Sequence, residues 1–116
     1  MALAQRFIGV SPITAQSLQG DYAAIAAAGT TQGTATSFKN AFVNVSSGTG
    51  GVILAAAGVG DSQIVYNSSG SAITVYPPSS SKINALSANT GVSLANNTVC
   101  EFFTVSGTQI LALMSA

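Results

Sequence analysis

Few side chains in this sequence of 116 residues could take part in catalysis. The chain has no His, and its acidic residues are limited to Asp21, Asp61 and Glu101. Hydrolytic and acid-base chemistry usually requires His or a close pair of carboxylates, because one group must give a proton while another accepts one. No two of these carboxylates share a local sequence motif. We therefore do not expect an enzyme, and a small hydrolase stays open only as an alternative that these carboxylates would have to support.

The other residues with reactive side chains have simpler structural explanations. Cys100 is the only cysteine, and because no His is available to activate it we expect a small apolar side chain buried in a strand. Asp61 lies in Gly58-Val-Gly-Asp-Ser62, where Asp is typical of a turn and where metal ligation would need partners that the sequence does not offer. The glycines of residues 48–51 and 58–60 precede neither a Lys nor a helix start, so we predict hairpin turns rather than phosphate-binding loops. No cofactor and no metal are expected.

Charged residues are scarce along the whole chain. Only 5% of the residues are charged, and the formal net charge is zero, whereas about a quarter of the residues in a typical soluble domain carry charge. Nucleic-acid binding needs clustered Lys and Arg to neutralise phosphates, so nucleic acid is not an expected partner. A free protein with so little charge would lack the repulsion that keeps molecules apart in solution. We therefore expect other protein chains to cover much of its surface.

No segment has the composition of a membrane span or of a secretory signal. A membrane helix needs about 18 consecutive apolar residues, and the longest such run, residues 50–60, consists mostly of Gly and Ala. The opening Met1-Ala-Leu-Ala-Gln-Arg-Phe-Ile8 has no basic region ahead of its apolar residues, and no continuous apolar region follows it. We expect no membrane partner and synthesis in the cytoplasm.

Residues 1–38 are predicted to form an N-terminal arm and a connector. Ser11 suits a helix N-cap, Pro12 suits the first helical position, and Gly20 suits the residue after the helix end. The apolar residues of this short helix make too narrow a stripe for a core of their own, so the arm must dock on something else. Residues 21–38 are rich in Ala, Thr and Gly, and we predict an extended connector.

Residues 39–116 have the pattern of a β domain. Short segments rich in β-branched and aromatic residues alternate with Gly, Asn and Ser turns at a spacing of roughly 8 to 12 residues, which is typical of a small antiparallel β-sandwich or barrel. The predicted strands are residues 41–45, 51–54, 63–67, 72–76, 82–84, 92–94, 98–105 and 109–114. The turns Ser46-Ser-Gly and Ser68-Ser-Gly resemble each other, but the segments after them do not match at a fixed period. We predict no internal repeat.

The last two predicted strands are apolar on both faces. In residues 98–105, Val99 and Phe103 lie on one face while Phe102 lies on the other, and residues 109–114 show the same pattern. A strand with one solvated face should alternate between apolar and polar residues. We therefore expect a neighbouring subunit to cover the outer face.

Glu101 interrupts this apolar pattern with a charge. A carboxylate between apolar neighbours needs a partner or access to water. We expect Glu101 to pair with Lys39 or Lys82 at an interface, or to lie at the edge of the sheet.

Several segments follow one another in an order that resembles a class of small structural proteins of tailed bacteriophages. They are Val65-Tyr-Asn67, Ala72-Ile-Thr-Val-Tyr-Pro-Pro78, Ile83-Asn-Ala-Leu-Ser-Ala-Asn89, Val92-Ser-Leu-Ala95 and Phe103-Thr-Val-Ser-Gly-Thr-Gln109. The opening Met1-Ala-Leu-Ala-Gln5 and the segment Ala27-Ala-Gly-Thr-Thr-Gln32 are also similar to this class. The resemblance covers most of the chain and consists of strands and turns rather than reactive groups.

The resemblance implies a virion component. It would be a capsid decoration or cement protein that forms a homotrimer on the outer surface of a phage head and clamps subunits of the major capsid protein. Its location would be the capsid exterior, after synthesis in the host cytoplasm. The residues expected to make these assembly contacts lie in the arm, and they are Leu3, Arg6, Phe7, Ile8, Ile13 and Leu18.

Two alternatives stay open at this point. The chain would instead be a tail, fibre or baseplate module that binds a host surface, although the absence of Trp and the presence of only three Tyr count against such a binding site. Separately, residues 1–20 would fold back on the chain's own β domain as a capped lid instead of docking on the shell. Limited proteolysis of the free protein distinguishes these two roles of the arm.

Overall fold

Residues 21–115 are the part of the chain that the computed structural model describes, and within them the secondary structure is entirely β. The strands are β1 (Tyr22–Ala27), β2 (Thr36–Ser37), β3 (Phe42–Gly48), β4 (Gly51–Ile53), β5 (Ser62–Asn67), β6 (Ile73–Tyr76), β7 (Lys82–Ile83), β8 (Val92–Leu94), β9 (Thr98–Thr104) and β10 (Gln109–Met114). The all-β prediction is confirmed. The predicted helix between Ser11 and Gly20 lies outside the described residues, whereas residues 21–38, predicted as a connector, contribute β1 and β2.

The strands form two sheets. Sheet A has six strands in the order β1-β3-β5-β9-β10-β7, and sheet B has four strands in the order β2-β4-β6-β8. The pairs β1/β3, β3/β5, β7/β10, β2/β4 and β4/β6 are parallel, and the pairs β5/β9, β9/β10 and β6/β8 are antiparallel. Both sheets are therefore mixed, and the prediction of an antiparallel sandwich or barrel is wrong in this respect.

The parallel pairs arise because the chain alternates between the sheets. It runs from β1 in sheet A to β2 in sheet B, and this passage is repeated by β3 with β4 and by β5 with β6. Parallel neighbours need a crossover connection, and here the crossover is the strand in the opposite sheet. The first two thirds of the described chain are therefore stacked coils, as in a short β-solenoid.

The coils have a period that the turn sequences announce. Phe42 pairs with Ile64 and Val43 with Val65, each 22 positions apart. This offset places Ser46-Ser-Gly and Ser68-Ser-Gly at equivalent corners of successive coils. The offset grows by one residue in sheet B, where Val52 pairs with Val75. A structural repeat is present, contrary to the prediction of none.

The remaining strands close the open end of the coils. Strand β9 pairs antiparallel with β5, and β10 turns back along β9. Strand β8 does the same for β6 in sheet B. These antiparallel strands occupy positions where a further coil would otherwise have left unpaired backbone groups at the sheet edge.

The hydrophobic core lies between the two sheets. Sheet A contributes side chains such as Val43, Val65 and Phe102, and sheet B contributes side chains such as Val52 and Leu94, all of them fully buried. Burial of each such side chain stabilises the fold by about 1.5–3 kcal/mol. Alternation along each strand then leaves a second set of side chains on the outer faces of the sheets.

Candidate functional site

The residues that the sequence assigns to assembly contacts lie outside the described part of the chain. They are Leu3, Arg6, Phe7, Ile8, Ile13 and Leu18. Their contacts therefore stay predictions. The described residues offer a different candidate, which is the outer face of sheet A.

A row of directly paired residues crosses this face from β1 to β10. Tyr22 pairs with Phe42, Phe42 with Ile64, Ile64 with Glu101, and Glu101 with Leu113. Tyr22 is 51% exposed and Leu113 is 65% exposed. The rings of Tyr22 and Phe42 meet edge to face with their centroids 5.2 Å apart. The row is apolar at every position except Glu101.

Neighbouring rows extend the apolar surface in both directions along the strands. On one side Phe103 pairs with Leu111, and on the other Tyr66 pairs with Val99. We call this surface the apolar face, and it consists of Tyr22, Ala24, Phe42, Ile64, Tyr66, Val99, Glu101, Phe103, Leu111 and Leu113. Strands that carry apolar residues on both sides leave one set uncovered in a two-layer domain.

The outer face of sheet B differs because a loop of the same chain covers part of it. The Tyr76 hydroxyl donates a hydrogen bond to the carbonyl oxygen of Thr30 at 3.0 Å. The Gln32 side-chain amide donates to the carbonyl oxygen of Pro77 at 2.7 Å. Gly51 leaves room for the Tyr76 ring, since a Cβ atom there would lie 2.7 Å from a ring carbon. The contrast leaves sheet A as the sheet with the larger exposed apolar surface.

Glu101 is the acidic residue within the apolar face. Strand β9 is an interior strand of sheet A, so the prediction that Glu101 lies at a sheet edge is wrong. An open depression of about 500 Å³ adjoins the carboxylate and is lined by Ile64, Val99 and Leu113 among other residues. A half-buried carboxylate surrounded by apolar side chains favours a cationic partner, because attraction between charges strengthens as water is removed.

The two lysines predicted as partners of Glu101 lie elsewhere. Lys82 pairs with Gln109 at the far edge of sheet A, two strands away from Glu101 and four residues further along β10 than the row of Leu113. These offsets correspond to about 17 Å. Lys39 lines a cleft between the sheets together with Asp21 and Asp61. Pairing of either lysine with Glu101 would therefore have to involve another molecule.

The cleft of Lys39 brings together two carboxylates that the sequence shows far apart. Asp21 accepts hydrogen bonds from the Asn40 side chain at 2.8 Å and from the backbone N–H of Ala41 at 3.0 Å. Asp61 accepts from the backbone N–H of Gly58 at 3.1 Å, which agrees with the prediction of a turn residue. Both carboxylates fix local backbone, and this use accounts for their presence without a reaction.

Cys100 is fully buried in the core, as predicted. Burial raises the pKa of its thiol to about 11; a hydrogen bond with the Leu113 backbone opposes this rise, and the neighbouring charge of Glu101 adds to it. The reactive form of cysteine is the thiolate. The thiol is therefore inert at neutral pH.

Residues 21–115 hold no group of three or more His, Cys, Asp and Glu side chains placed to bind a metal ion. Within the same range no helix has the length and hydrophobicity of a membrane span. The chain matches no protein-family model, no curated protein and no solved structure.

Proposed function

We propose that this protein is a structural virion protein, a capsid decoration or cement protein that forms a homotrimer on the outer surface of a phage head and clamps subunits of the major capsid protein. The observation that supports this most directly is the apolar face of sheet A. A surface of large apolar side chains with one charge suits contact with another protein. The resemblance of the strand and turn segments to small phage structural proteins supplies the kind of partner.

The size of the apolar face bears on how such a protein would bind. The strands are spaced by about 4.8 Å and same-face residues by about 6.8 Å, so the face from β1 to β10 covers roughly 500 Å². A stable pairwise interface usually buries about 800 Å² on each partner. One face alone would hold weakly, but a trimer presents three faces to the shell at once, and linked weak contacts gain strongly from multivalency.

The experiment mixes the purified protein with undecorated heads and images them by electron cryo-microscopy. We expect ordered density at three-fold or quasi-three-fold positions, with the apolar face directed at the shell. The substitution Leu113→Asp should lower the occupancy of these positions, because it places a second carboxylate beside Glu101. Val59→Asp is the matched control, since Val59 is 71% exposed and lies in a turn outside the face. Heads that stay bare at saturating protein, or density confined to the tail, would rule out the decoration function.

A further inference from the structure

We infer that residues 1–20 of the free protein pack on the apolar face of their own chain, with Arg6 against Glu101. This inference concerns the chain before any assembly, so it does not depend on the proposed function. Three observations carry it: the position at which these residues join the sheet, the charges on the two surfaces, and the area to be covered.

The N-terminal segment joins sheet A at the rim of the apolar face. Residue 20 precedes Asp21, whose carboxylate is held by Asn40 and Ala41, and Tyr22 then begins the cross-strand row. Glu101 lies three strands away from β1 in sheet A, which corresponds to about 14 Å. The chain between Arg6 and Asp21 can span about 50 Å when extended. A tethered segment that starts at the rim has a high effective concentration at this surface.

The charges of the segment and of the apolar face are complementary. Arg6 is the only charged side chain in residues 1–20, and Glu101 is the only one in the apolar face. Around Arg6 the segment carries Leu3, Phe7 and Ile8, which match the apolar residues around Glu101. An Arg can cover apolar surface with its methylene groups while its guanidinium reaches a carboxylate.

A second copy of the chain fits the same face less well. The face offers roughly 500 Å², below the usual 800 Å² or so on each partner. Two copies packed face to face would bring together two Glu101 carboxylates. Supplying Lys82 as the cation would move the symmetry axis toward β10, about 19 Å from β1, and would leave Tyr22 and Phe42 uncovered. A segment of 20 residues, part helix and part extended, covers an area of the same order as the face.

Trypsin tests this packing, because Arg6 is the only Arg of the chain. Cleavage after Arg6 in the full chain should be at least about tenfold slower than in a free peptide of residues 1–12, since a docked segment must open before it is cut. Glu101→Gln should speed cleavage by about two- to five-fold, the factor that corresponds to the usual strength of a partly exposed ion pair. Leu113→Ser should also speed it. The controls Asp61→Asn and Val59→Ser should leave the rate unchanged, and a full chain cut as fast as the peptide overturns the inference.

Cross-linking identifies which copy supplies the segment. The double variant Arg6→Cys with Glu101→Cys should form a disulfide within one chain under mild oxidation, seen as a monomer of altered mobility on a non-reducing gel. Cys100 does not interfere because its thiol is buried in the core. The control pair Arg6→Cys with Val59→Cys should form far less. Covalent dimers or higher oligomers would show that a neighbour's segment occupies the face, and this result, like the absence of any cross-link, overturns packing on the chain's own face.

Discussion

The buried amide of Asn67 is predicted to contribute more to stability than any other polar side chain of the described residues. Asn67 is fully buried at the end of β5. Its Nδ2 donates to the carbonyl oxygens of Ser71 at 2.8 Å and Leu94 at 2.9 Å. Its Oδ1 accepts from the backbone N–H of Ser69 at 3.0 Å and from the Ser69 hydroxyl at 2.7 Å. The side chain therefore links sheet A to sheet B and fixes the turn between them.

The substitution Asn67→Ala removes all of these hydrogen bonds. Ser69 is half-buried and Ser71 is exposed, so water replaces the amide there at about 1 kcal/mol for each bond lost. Leu94 is fully buried, and its carbonyl oxygen loses a partner where water cannot enter, which costs about 1–3 kcal/mol. We expect a total loss of about 4 kcal/mol in the free energy of unfolding, or roughly 15 °C in Tm for a domain of this size.

Urea denaturation followed by circular dichroism measures this loss, with Asn44→Ala as the matched control. Asn44 lies on the adjacent strand β3 but is half-buried on the outer side, where its Oδ1 accepts one bond from the Ser68 hydroxyl at 2.6 Å. The control should lose no more than about 1 kcal/mol. Asn67→Asp should be at least as harmful as Asn67→Ala at neutral pH, because it sets a carboxylate against two carbonyl oxygens. A loss below 1 kcal/mol for Asn67→Ala would refute the reasoning.

Three further measurements test other parts of the structure. Gly48 and Gly70 occupy equivalent corners and both have positive φ, but a Cβ would strike the Ala27 carbonyl only at Gly48; Gly48→Ala should therefore lower Tm well beyond the strain cost of about 1–2 kcal/mol expected for Gly70→Ala. For Cys100 the unfolded thiol ionises near pH 9 and the buried thiol near pH 11, so the folded state keeps its proton longer and stability should fall by about 3 kcal/mol as pH rises through this window. Equilibrium urea unfolding at pH 8 and pH 11 tests this fall, and Cys100→Ala should remove the part of it that belongs to the thiol. Tyr76→Phe should cost about 1 kcal/mol in urea unfolding by removing the bond to Thr30.

The positions of the strands could be read from the sequence because they depend on local properties. Every segment predicted as a strand after residue 39 contains an observed strand, from β3 to β10. Strand β6 ends at Tyr76, before Pro77 and Pro78, because proline cannot donate to a sheet ladder. Local composition missed only β1 and β2, whose Ala and Thr residues favour no single backbone state.

Strand pairing could not be read in the same way because it depends on which sheet each strand joins. A spacing of roughly 8 to 12 residues fits an antiparallel hairpin and also a strand that crosses to the opposite sheet. The repeated Ser-Ser-Gly corner was the available signal. Its 22-residue offset continues through β3 and β5, but an extra residue before β6 hides the period in sheet B.

The candidate site was foreseen as a property and not as a set of residues. Two-sided apolar patterns in residues 98–105 and 109–114 predicted an uncovered face, and the structure places such a face on sheet A. The pairing of Tyr22 and Phe42 with this face could not be foreseen, because β1 was predicted to be a connector. The association of Asp21 with Asp61 in one cleft was missed for the same reason.

The proposed function and the proposed packing of residues 1–20 place opposite demands on one surface. A shell subunit that docks on the apolar face must displace the segment, which lowers the apparent affinity by the fraction of molecules already open, about 100-fold when one in a hundred is open. Contacts of Phe7 and Ile8 with the shell would offset this cost. Deleting residues 1–19 removes both effects, so we expect head binding to change by no more than about tenfold while self-association of the free protein rises. Complete loss of head binding in the truncated chain would instead show that the segment makes the dominant contacts with the shell.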